Sequence, residues 1–296
     1  MRSIAVFSPA KINLFLAVTG RRPDGFHELV SLVAQLALGD TLWLQERSED
    51  GEVTLICDDP TVPSGADNLA VRAAVVFRGA TGVQTGLEIS LHKRLPMGAG
   101  LGGGSSNATA VLRALNVLCS RPLPDERLVE LAAQLGSDCP LFLSGGASLM
   151  RGRGERIEPV GAGAAEGLTG RRVLIFKPDF SISTPWAYGQ LAADPCHNYS
   201  SPDWAEERLR QWQAGDFGLQ ALLFNSFEVV AFRKFVALPT LADCLRAEPG
   251  VEGVLMSGSG SACFALLGPG ADGQRLSAVI REALGSTAWI AETTFA

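Results

Sequence analysis

The sequence predicts an α+β fold of two domains, and three observations support this prediction. Residues 4–18 alternate apolar and polar side chains, which is typical of a strand. A glycine-rich run at 98–104 leads directly into an apolar helical stripe over 108–115. Residues 252–268 have the pattern of a strand, a glycine turn and a second strand. Strand and helix patterns therefore occur together in one chain, in irregular order.

The chain is long enough to bury two hydrophobic cores. It has 296 residues, of which 47% are hydrophobic. A Gly/Ala-rich stretch at 161–170 has the composition of a surface loop. We therefore predict a first domain over residues 1–155 and a second domain over residues 156–296.

The first domain begins with predicted strands. The strand at 4–18 carries different residues on its two faces: Ile12, Leu14, Leu16 and Val18 on one, and Lys11, Asn13 and Phe15 on the other. After the turn RRPDGF, the β-branched and aromatic content of residues 26–45 favours strands. The segment SEDGEVTLIC, residues 48–57, then suggests a hairpin.

Helices and strands alternate from there. Residues 67–80 predict a helix and residues 86–96 a strand. The helix after the glycine run has three good N-caps, Ser105, Ser106 and Asn107.

The stretch from 124 to 146 predicts a helix, a break at Gly136, and a short helix with Pro140 in its first turn. Residues 147–160 predict a hairpin and residues 171–180 a strand. The remainder alternates helices with strands.

The glycine run predicts a phosphate-binding site, because glycine lets backbone N–H groups turn toward an anion and a helix N-terminus adds donors and partial positive charge. The P-loop pattern does not fit, since no lysine follows the glycines. Gly98, Gly100 and Gly103 have the spacing of the dinucleotide-binding fingerprint. That fingerprint needs an acid at the end of a second strand, whereas Asp125 begins a predicted helix. The dinucleotide alternative is weakened but stays open.

Composition argues against several classes of partner and site. The net charge is −6, the isoelectric point is about 5.2 and no basic run occurs, so we expect neither nucleic acid nor an anionic membrane as a partner. The six cysteines form no C-x-x-C pair, and the three histidines are far apart, so we predict reduced cysteines and no metal-ligating residues. No apolar run reaches the roughly eighteen residues of a membrane span and no targeting segment is apparent, so we expect a cytoplasmic protein.

Three further segments carry candidate chemistry: Lys11 in SPAKINLFL, Asp138 in LGSDCP, and Ser257–Ser261 in MSGSGSACF. Each alone has an ordinary structural explanation. A lysine can extend from an edge strand, an aspartate can cap a helix, and a glycine pair can form a tight hairpin.

Together with the glycine run, these segments resemble the superfamily of galactokinase, homoserine kinase, mevalonate kinase and phosphomevalonate kinase, the GHMP kinases. The resemblance rests on PAKINLFL, RRPDGFHEL, DNL, KRLPMGAGLGGGSSNA, LGSDCPLF, SISTPWAY, NSFE and SGSGSACF, which span most of the chain. Within the superfamily the sequence is most similar to the 4-diphosphocytidyl-2-C-methyl-D-erythritol kinases of the non-mevalonate isoprenoid pathway. The resemblance implies a two-domain GHMP-kinase fold with the active site in a cleft between the domains.

The resemblance also implies that ATP is a co-substrate and that Mg²⁺ accompanies it. The glycine loop would surround the ATP phosphates with Pro96, Met97, Gly98, Ala99, Gly100, Leu101, Gly102, Gly103, Gly104, Ser105 and Ser106. Either serine could also reach the magnesium ion. Asn68, Leu69 and Lys93 are the candidates for the adenine end.

For the acceptor, the resemblance implies that Asp138 removes the proton from the 2-hydroxyl, a tertiary alcohol, and that Lys11 supplies positive charge near Asp138 and the transferring phosphoryl group. Asn13 would orient the methylerythritol part. His27, beside Phe26, and Tyr188 would clamp the cytosine between their rings. The two bases would lie at opposite ends of the cleft.

Three departures from the family pattern are visible. The chain has GSDCPL where GADVPF is common, Phe26 where tyrosine is frequent, and NSFE where others have NDLE, and we assign that last segment no catalysis. A sister kinase for homoserine or mevalonate is the nearest alternative, followed by a dinucleotide-dependent oxidoreductase and a non-catalytic nucleotide-binding module. The oligomeric state is left open.

Overall fold

A computed structural model of the chain describes residues 2–47 and 51–296. These residues form eleven strands and twelve helices, so the predicted α+β class is confirmed. They divide into two compact units built from discontinuous segments. Unit 1 consists of the described residues within Met1–Ala10, Leu38–Met97 and Gly102–Gly145; unit 2 consists of Lys11–Ala37, Gly98–Leu101 and Gly146–Ala296.

The strands are, in chain order, β1 (Ser3–Arg21), β2 (His27–Arg47), β3 (Val53–Cys57), β4 (Gly86–His92), β5 (Ala147–Gly152), β6 (Arg156–Pro159), β7 (Arg172–Lys177), β8 (Phe224–Asn225), β9 (Val251–Met256), β10 (Cys263–Leu267) and β11 (Trp289–Thr294). The helices are α1 (Leu69–Thr81), α2 (Gly103–Leu118), α3 (Asp125–Leu135), α4 (Leu141–Ser144), α5 (Ala162–Glu166), α6 (Thr184–Ala193), α7 (Pro195–Asn198), α8 (Pro202–Ala214), α9 (Leu219–Leu222), α10 (Glu228–Lys234), α11 (Ala237–Arg246) and α12 (Gly273–Leu284).

Unit 1 is a sheet covered by helices α1, α2 and α3. The strand order is β3-β4-β2-β1, with β4 antiparallel to β2 and parallel to β3. The apolar faces of sheet and helices meet in one core in which Phe77, Ile89 and Leu112 have no solvent exposure. Burial of such side chains stabilises a fold by roughly 1.5–3 kcal/mol each.

Unit 2 contains a four-stranded antiparallel sheet in the order β11-β7-β10-β9. The first half of β2 pairs antiparallel with β5, and β5 pairs with β6 as the predicted hairpin. β8 lies parallel to β1 opposite Phe15 and Leu16. β9 and β10 are the two strands predicted on either side of the glycine turn.

Four local predictions need correction. Residues 53–57 form no hairpin with β2; they pair in parallel with β4, which lies between them and β2. Part of the predicted hairpin, residues 48–50, lies outside the described residues. The stretch 161–170 contains a short helix, α5. Both faces of β1 are buried around Lys11, which therefore is not a side chain extending from an exposed edge.

The fourth correction concerns the start of α2. The helix begins at Gly103 with Gly102 as N-cap, so Ser105 and Ser106 lie inside its first turn and Asn107 follows them. Glycine tolerates the left-handed backbone that this entry needs, with φ of +73° at Gly102, whereas serine rarely does. No described helix is long and apolar enough to cross a membrane.

Candidate active site

The glycine loop bends sharply three times before α2 begins. Gly98, Gly100 and Gly102 have φ values of +61°, +78° and +73°, a backbone region that other residues rarely adopt. Alternating left-handed glycines with Ala99 and Leu101, both buried, turns the loop tightly while anchoring it. The spacing of glycines at every second position is thus a conformational requirement.

The first turn of α2 presents backbone donors. Ser106 N–H donates to the carbonyl of Gly102 at 2.9 Å, as the first intrahelical bond from this end. The N–H groups of Gly103, Gly104 and Ser105 precede it and have no partner within the helix, and no side chain caps them. With the partial positive charge of the helix end, these groups can bind a phosphate.

Asp138 lies in a turn that is bonded to the same helix. The hydroxyl of Thr109 donates to the carbonyl of Cys139 at 2.8 Å and to that of Ser105 at 3.1 Å. Burial raises the pKa of the Cys139 thiol to about 11, so this thiol is neutral at physiological pH. Asp138 is half-buried. Unit 1 therefore holds a carboxylate-bearing turn against the start of α2.

In unit 2, Lys11 and Asn13 form a buried polar pair on β1. Lys11 Nζ donates to Asn13 Oδ1 at 2.8 Å, and Asn13 Nδ2 donates to the Ser31 hydroxyl at 3.0 Å. Ser31 in turn donates to the carbonyl of Phe15 at 2.6 Å. The chain of bonds fixes the amide of Asn13 and places the ammonium of Lys11 beside it.

The glycine loop is attached to β1 and to the turn between β9 and β10. Lys11 N–H donates to the carbonyl of Leu101 at 2.9 Å, and Ala262 N–H to that of Ala99 at 3.1 Å. The fully buried hydroxyl of Ser257 donates to the carbonyl of Gly100 at 3.1 Å. Lys11 and the phosphate loop are therefore neighbours within unit 2.

Asn225 and Glu228, in the segment to which no catalysis was assigned, hold that turn. Asn225 Nδ2 donates to the carbonyls of Met256 and Gly258 at 2.6 and 2.8 Å. Met256 N–H donates to Glu228 Oε1 at 2.8 Å, and burial raises the pKa of Glu228 to about 7. The segment thus has a structural role.

A third group of predicted residues lies at the beginning of β2 and on α6. The rings of His27 and Tyr188 stack with centroids 4.5 Å apart at 30°, and Phe227 packs edge-on against Tyr188 at 4.8 Å. Phe26 is half-exposed, and the guanidinium of Arg153 lies 4.9 Å from its ring centroid. His27 and Tyr188 are therefore brought together, and they contact each other directly.

Comparison with known proteins identifies the family. The sequence pattern described as "GHMP kinases N terminal domain" matches residues 68–146, and that described as "GHMP kinases C terminal" matches residues 205–286. The chain is 41% identical to 4-diphosphocytidyl-2-C-methyl-D-erythritol kinase of Synechococcus sp. over 274 residues, which cover 90% of this chain and 88% of the relative.

The chain belongs to the GHMP kinases, in the family of 4-diphosphocytidyl-2-C-methyl-D-erythritol kinases. A crystal structure of 4-(cytidine 5'-diphospho)-2C-methyl-D-erythritol kinase is 37% identical, with a TM-score of 0.77 over 99% of this chain and all of the other. Homoserine kinase from Cytophaga hutchinsonii is 19% identical and has a TM-score of 0.73, covering all of this chain and 95% of the other. That second similarity concerns the fold alone. The two family patterns lie on either side of the boundary predicted at 155, which stays a prediction.

In unit 1 of this GHMP kinase, the candidates for the adenine end have other contacts. The side chain of Asn68 caps α1, accepting from Ala70 N–H at 2.9 Å and donating to the Pro63 carbonyl at 2.7 Å. Leu69 lies near Gly104, and Lys93 Nζ lies 3.2 Å from where a Cβ on Gly103 would be. Asn68 and Leu69 thus lie at the start of α1, and Leu69 and Lys93 lie near the start of α2. Contact of these residues with a base stays a prediction.

Lys93 is bonded to the fully buried Asp40, a residue that was not predicted from the sequence. Asp40 Oδ2 accepts from Lys93 Nζ at 2.6 Å and from Asn107 Nδ2 at 3.0 Å. Asp40 Oδ1 accepts from the N–H groups of Arg94 and Leu95 at 2.8 and 2.9 Å. One carboxylate thus ties the segment before the glycine loop to the helix after it. The sequence feature that could have identified Asp40 is its position as the single acid within the apolar run LALGDTLWL.

We expect Asp40→Asn to destabilise the protein by about 3–5 kcal/mol, because it leaves the Lys93 ammonium buried without its counter-charge. The amide NH₂ would also face two donors, Lys93 Nζ and Asn107 Nδ2. Urea unfolding followed by fluorescence measures the change. Glu130→Gln, which breaks the exposed pair with Arg127, is the control and should cost less than about 1 kcal/mol. Equal small effects would show that Asp40 does not hold unit 1 together.

Proposed function

We propose that this chain transfers the γ-phosphoryl group of ATP to the 2-hydroxyl of 4-diphosphocytidyl-2-C-methyl-D-erythritol. The phosphate-binding loop and helix suit any GHMP kinase, so they support the donor and the reaction class. The observation that selects the acceptor is the 41% identity over nine-tenths of the chain to an enzyme of that name. The likeness to homoserine kinase, at 19% identity, supports a shared fold only.

The backbone donors of the loop and of α2 would hold the ATP phosphates, from Pro96 to Ser106. Phosphoryl transfer needs positioning and charge stabilisation more than covalent participation by the protein. Donors fixed by the left-handed glycines need no reorganisation when charge develops. Lys11 would add a positive charge near the transferring group.

Mg²⁺ would neutralise charge on the phosphates when it is bound with the nucleotide. Within the described residues no group of three or more His, Cys, Asp or Glu side chains could hold a metal ion, which suits a cation carried mainly by phosphate oxygens. Ser105 is the better of the two serine candidates. The Ser106 hydroxyl is buried and accepts from Ser8 at 2.8 Å, whereas Ser105 is only half-buried.

Asp138 would accept the proton of the 2-hydroxyl as that oxygen attacks the γ-phosphorus and the bond to ADP breaks. Its turn is bonded to α2, which supports a position next to the phosphates. An aspartate is a weak base, so its contribution depends on placement. Asn13, fixed by Lys11 and Ser31, would orient the methylerythritol part.

His27, Tyr188 and Phe26 would bind the cytosine. A base between two rings needs centroids about 7 Å apart, twice the ordinary stacking distance. Since His27 and Tyr188 are 4.5 Å apart, the pair must open for a sandwich, or the base must stack on an outer face. Either arrangement uses the aromatic surface that nucleobases favour.

We place the reaction in the cytoplasm, where ATP is supplied. The six cysteines are all free, which suits a reducing compartment. We also keep residues 1–155 as the ATP-binding domain and residues 156–296 as a domain that contributes to acceptor binding, with small molecules as the only partners proposed.

The test is ATP consumption with three acceptors offered separately: 4-diphosphocytidyl-2-C-methyl-D-erythritol, homoserine and mevalonate. We expect turnover with the first at a kcat/KM at least about a hundredfold above the others, since an acceptor that lacks the cytidine loses its stacking contacts. Turnover confined to homoserine or mevalonate would replace the proposal with a sister kinase. ADP release without any acceptor provides the background.

A further inference from the structure

The imidazole of His27 is contacted by both of the chain's tyrosines. Tyr188 stacks on its face, and the hydroxyl of Tyr199 lies 3.1 Å from Nε2. The Tyr199 ring also meets the imidazole edge-on, with centroids 5.9 Å apart at 71°. One tyrosine thus offers a surface, and the other offers a directed hydrogen bond.

Tyr199 is held in position by the backbone around it. Its N–H donates to the carbonyl of Pro195 at 3.2 Å, and the next N–H, that of Ser200, donates to the carbonyl of Val18 on β1 at 2.9 Å. The Ser200 hydroxyl is 3.3 Å from that of Ser226. The backbone that carries the phenol is therefore held by bonds that do not involve His27.

Both groups are neutral near pH 7. Burial, with the positive charge of Arg21, lowers the pKa of His27 below its usual value. Burial raises the pKa of the Tyr199 hydroxyl. A neutral imidazole has one N–H and one lone pair, and the partner of one nitrogen decides which is which.

We propose that Tyr199 is a positioning residue that donates its hydroxyl hydrogen to His27 Nε2 and so fixes the proton on Nδ1. A phenol is a better donor than an imidazole N–H, and an sp² ring nitrogen is a better acceptor than a phenol oxygen. The O–H···N arrangement is therefore the favoured one. Among the described residues Nδ1 forms no hydrogen bond, so its hydrogen is available to a ligand.

The fixed tautomer would act as a base discriminator, an inference that rests on the proposed function. Cytosine carries lone pairs at N3 and O2, whereas uracil carries a hydrogen on N3. A donor at Nδ1 matches cytosine N3 and opposes uracil N3–H. A site with a committed donor rejects a base that cannot accept from it, because the buried donor is then unpaired.

The first test is the tautomer itself, read by ¹⁵N NMR of the histidine side chains. The chain has only three histidines, so His92→Gln and His197→Gln assign the signals of His27. We expect a protonated, pyrrole-type Nδ1 and a pyridine-type Nε2 in the wild type, and a shift toward the Nε2–H form in Tyr199→Phe. Ser200→Ala, which removes the neighbouring hydroxyl, should leave the signals unchanged. An Nε2–H tautomer in the wild type, or no change in Tyr199→Phe, would overturn the proposal.

The second test is equilibrium binding of CMP and UMP. Tyr199→Phe should weaken CMP binding by about threefold to tenfold, the scale of one neutral hydrogen bond, and narrow the preference over UMP, with ATP binding unchanged. Unchanged CMP and UMP affinities in Tyr199→Phe would refute the discriminating role. If wild-type protein bound neither nucleotide, the cytidine site of the proposed function would fail, while the NMR result would still decide the tautomer.

Discussion

Asp138→Asn is expected to lower kcat by about a hundredfold or more, the usual scale for loss of a general base. The asparagine has the same size and can make similar hydrogen bonds in the turn, but it can neither accept the proton nor carry negative charge. Because Thr109 bonds the backbone carbonyl of Cys139, which the substitution does not alter, this attachment of the turn to α2 survives. Folding and ATP affinity should therefore stay near wild type.

Steady-state kinetics and ATP binding are measured on the same preparation. Together they distinguish loss of the catalytic base from loss of folding or of substrate binding. Asp125→Asn, at the exposed first turn of α3, is the matched control and should leave kcat unchanged. A fall in kcat and kcat/KM together indicates a contact made in the transition state, whereas a rise in KM alone indicates substrate binding. Turnover equal to wild type would show that Asp138 is not the catalytic base and has only a structural role in the turn.

Gly100→Val is expected to weaken ATP binding by at least about tenfold. A Cβ at this position would lie 2.4 Å from the carbonyl oxygen of Ser257, and the backbone φ of +78° is strained for any side chain. Relief requires the loop or the SGSGS turn to move, and the movement displaces the N–H groups that face the phosphates.

Gly79→Ala, on α1, is the control, because its Cβ would meet nothing within 4 Å. ATP and CMP affinities are measured separately for each variant. Loss of ATP binding with CMP binding retained supports a local effect on the phosphate loop. Equal loss of both in Gly100→Val would mean that the variant is misfolded and that the loop geometry was not tested.

The parts of the fold that depend on short-range patterns could be predicted from sequence. The strand at β1, the helix α1 and the turn between β9 and β10 follow from alternation, helical spacing and glycine, and each lies where the pattern put it. The pairing of residues 53–57 could not be predicted in this way. Alternation identifies a strand but not its neighbour, and here the parallel partner of Val53 is Leu87, which comes much later in the chain.

The start of α2 was misplaced for a related reason. Serine and asparagine are the commoner N-caps, but the loop approaches the helix in a left-handed conformation that glycine satisfies. The left-handed backbone at Gly102 therefore determines the N-cap, and the preference for serine or asparagine at that position does not. The consequence matters for the proposed function, since Ser105 and Ser106 then lie inside the turn that would bind the phosphates.

Most of the residues that support the site could not be predicted from the sequence. Asp40 bonds Asn107 across 67 positions, and Tyr199 reaches His27 across 172. Such contacts depend on tertiary structure, and neither residue belongs to a short motif. The residues of the glycine loop, by contrast, are contiguous, so composition alone could suggest a role for them, and that role stays a prediction.

The central claim, phosphorylation of the 2-hydroxyl, is tested most directly by proton-coupled ³¹P NMR of the product formed from ATP and 4-diphosphocytidyl-2-C-methyl-D-erythritol. The 2-hydroxyl is attached to a tertiary carbon, which bears no hydrogen. We therefore expect the new phosphomonoester signal to appear as a singlet, without three-bond coupling to a proton, alongside the retained diphosphate signals. A doublet or triplet would place the phosphoryl group on a secondary or primary hydroxyl, and an absent monoester signal with ATP intact would mean no transfer; either result would contradict the claim.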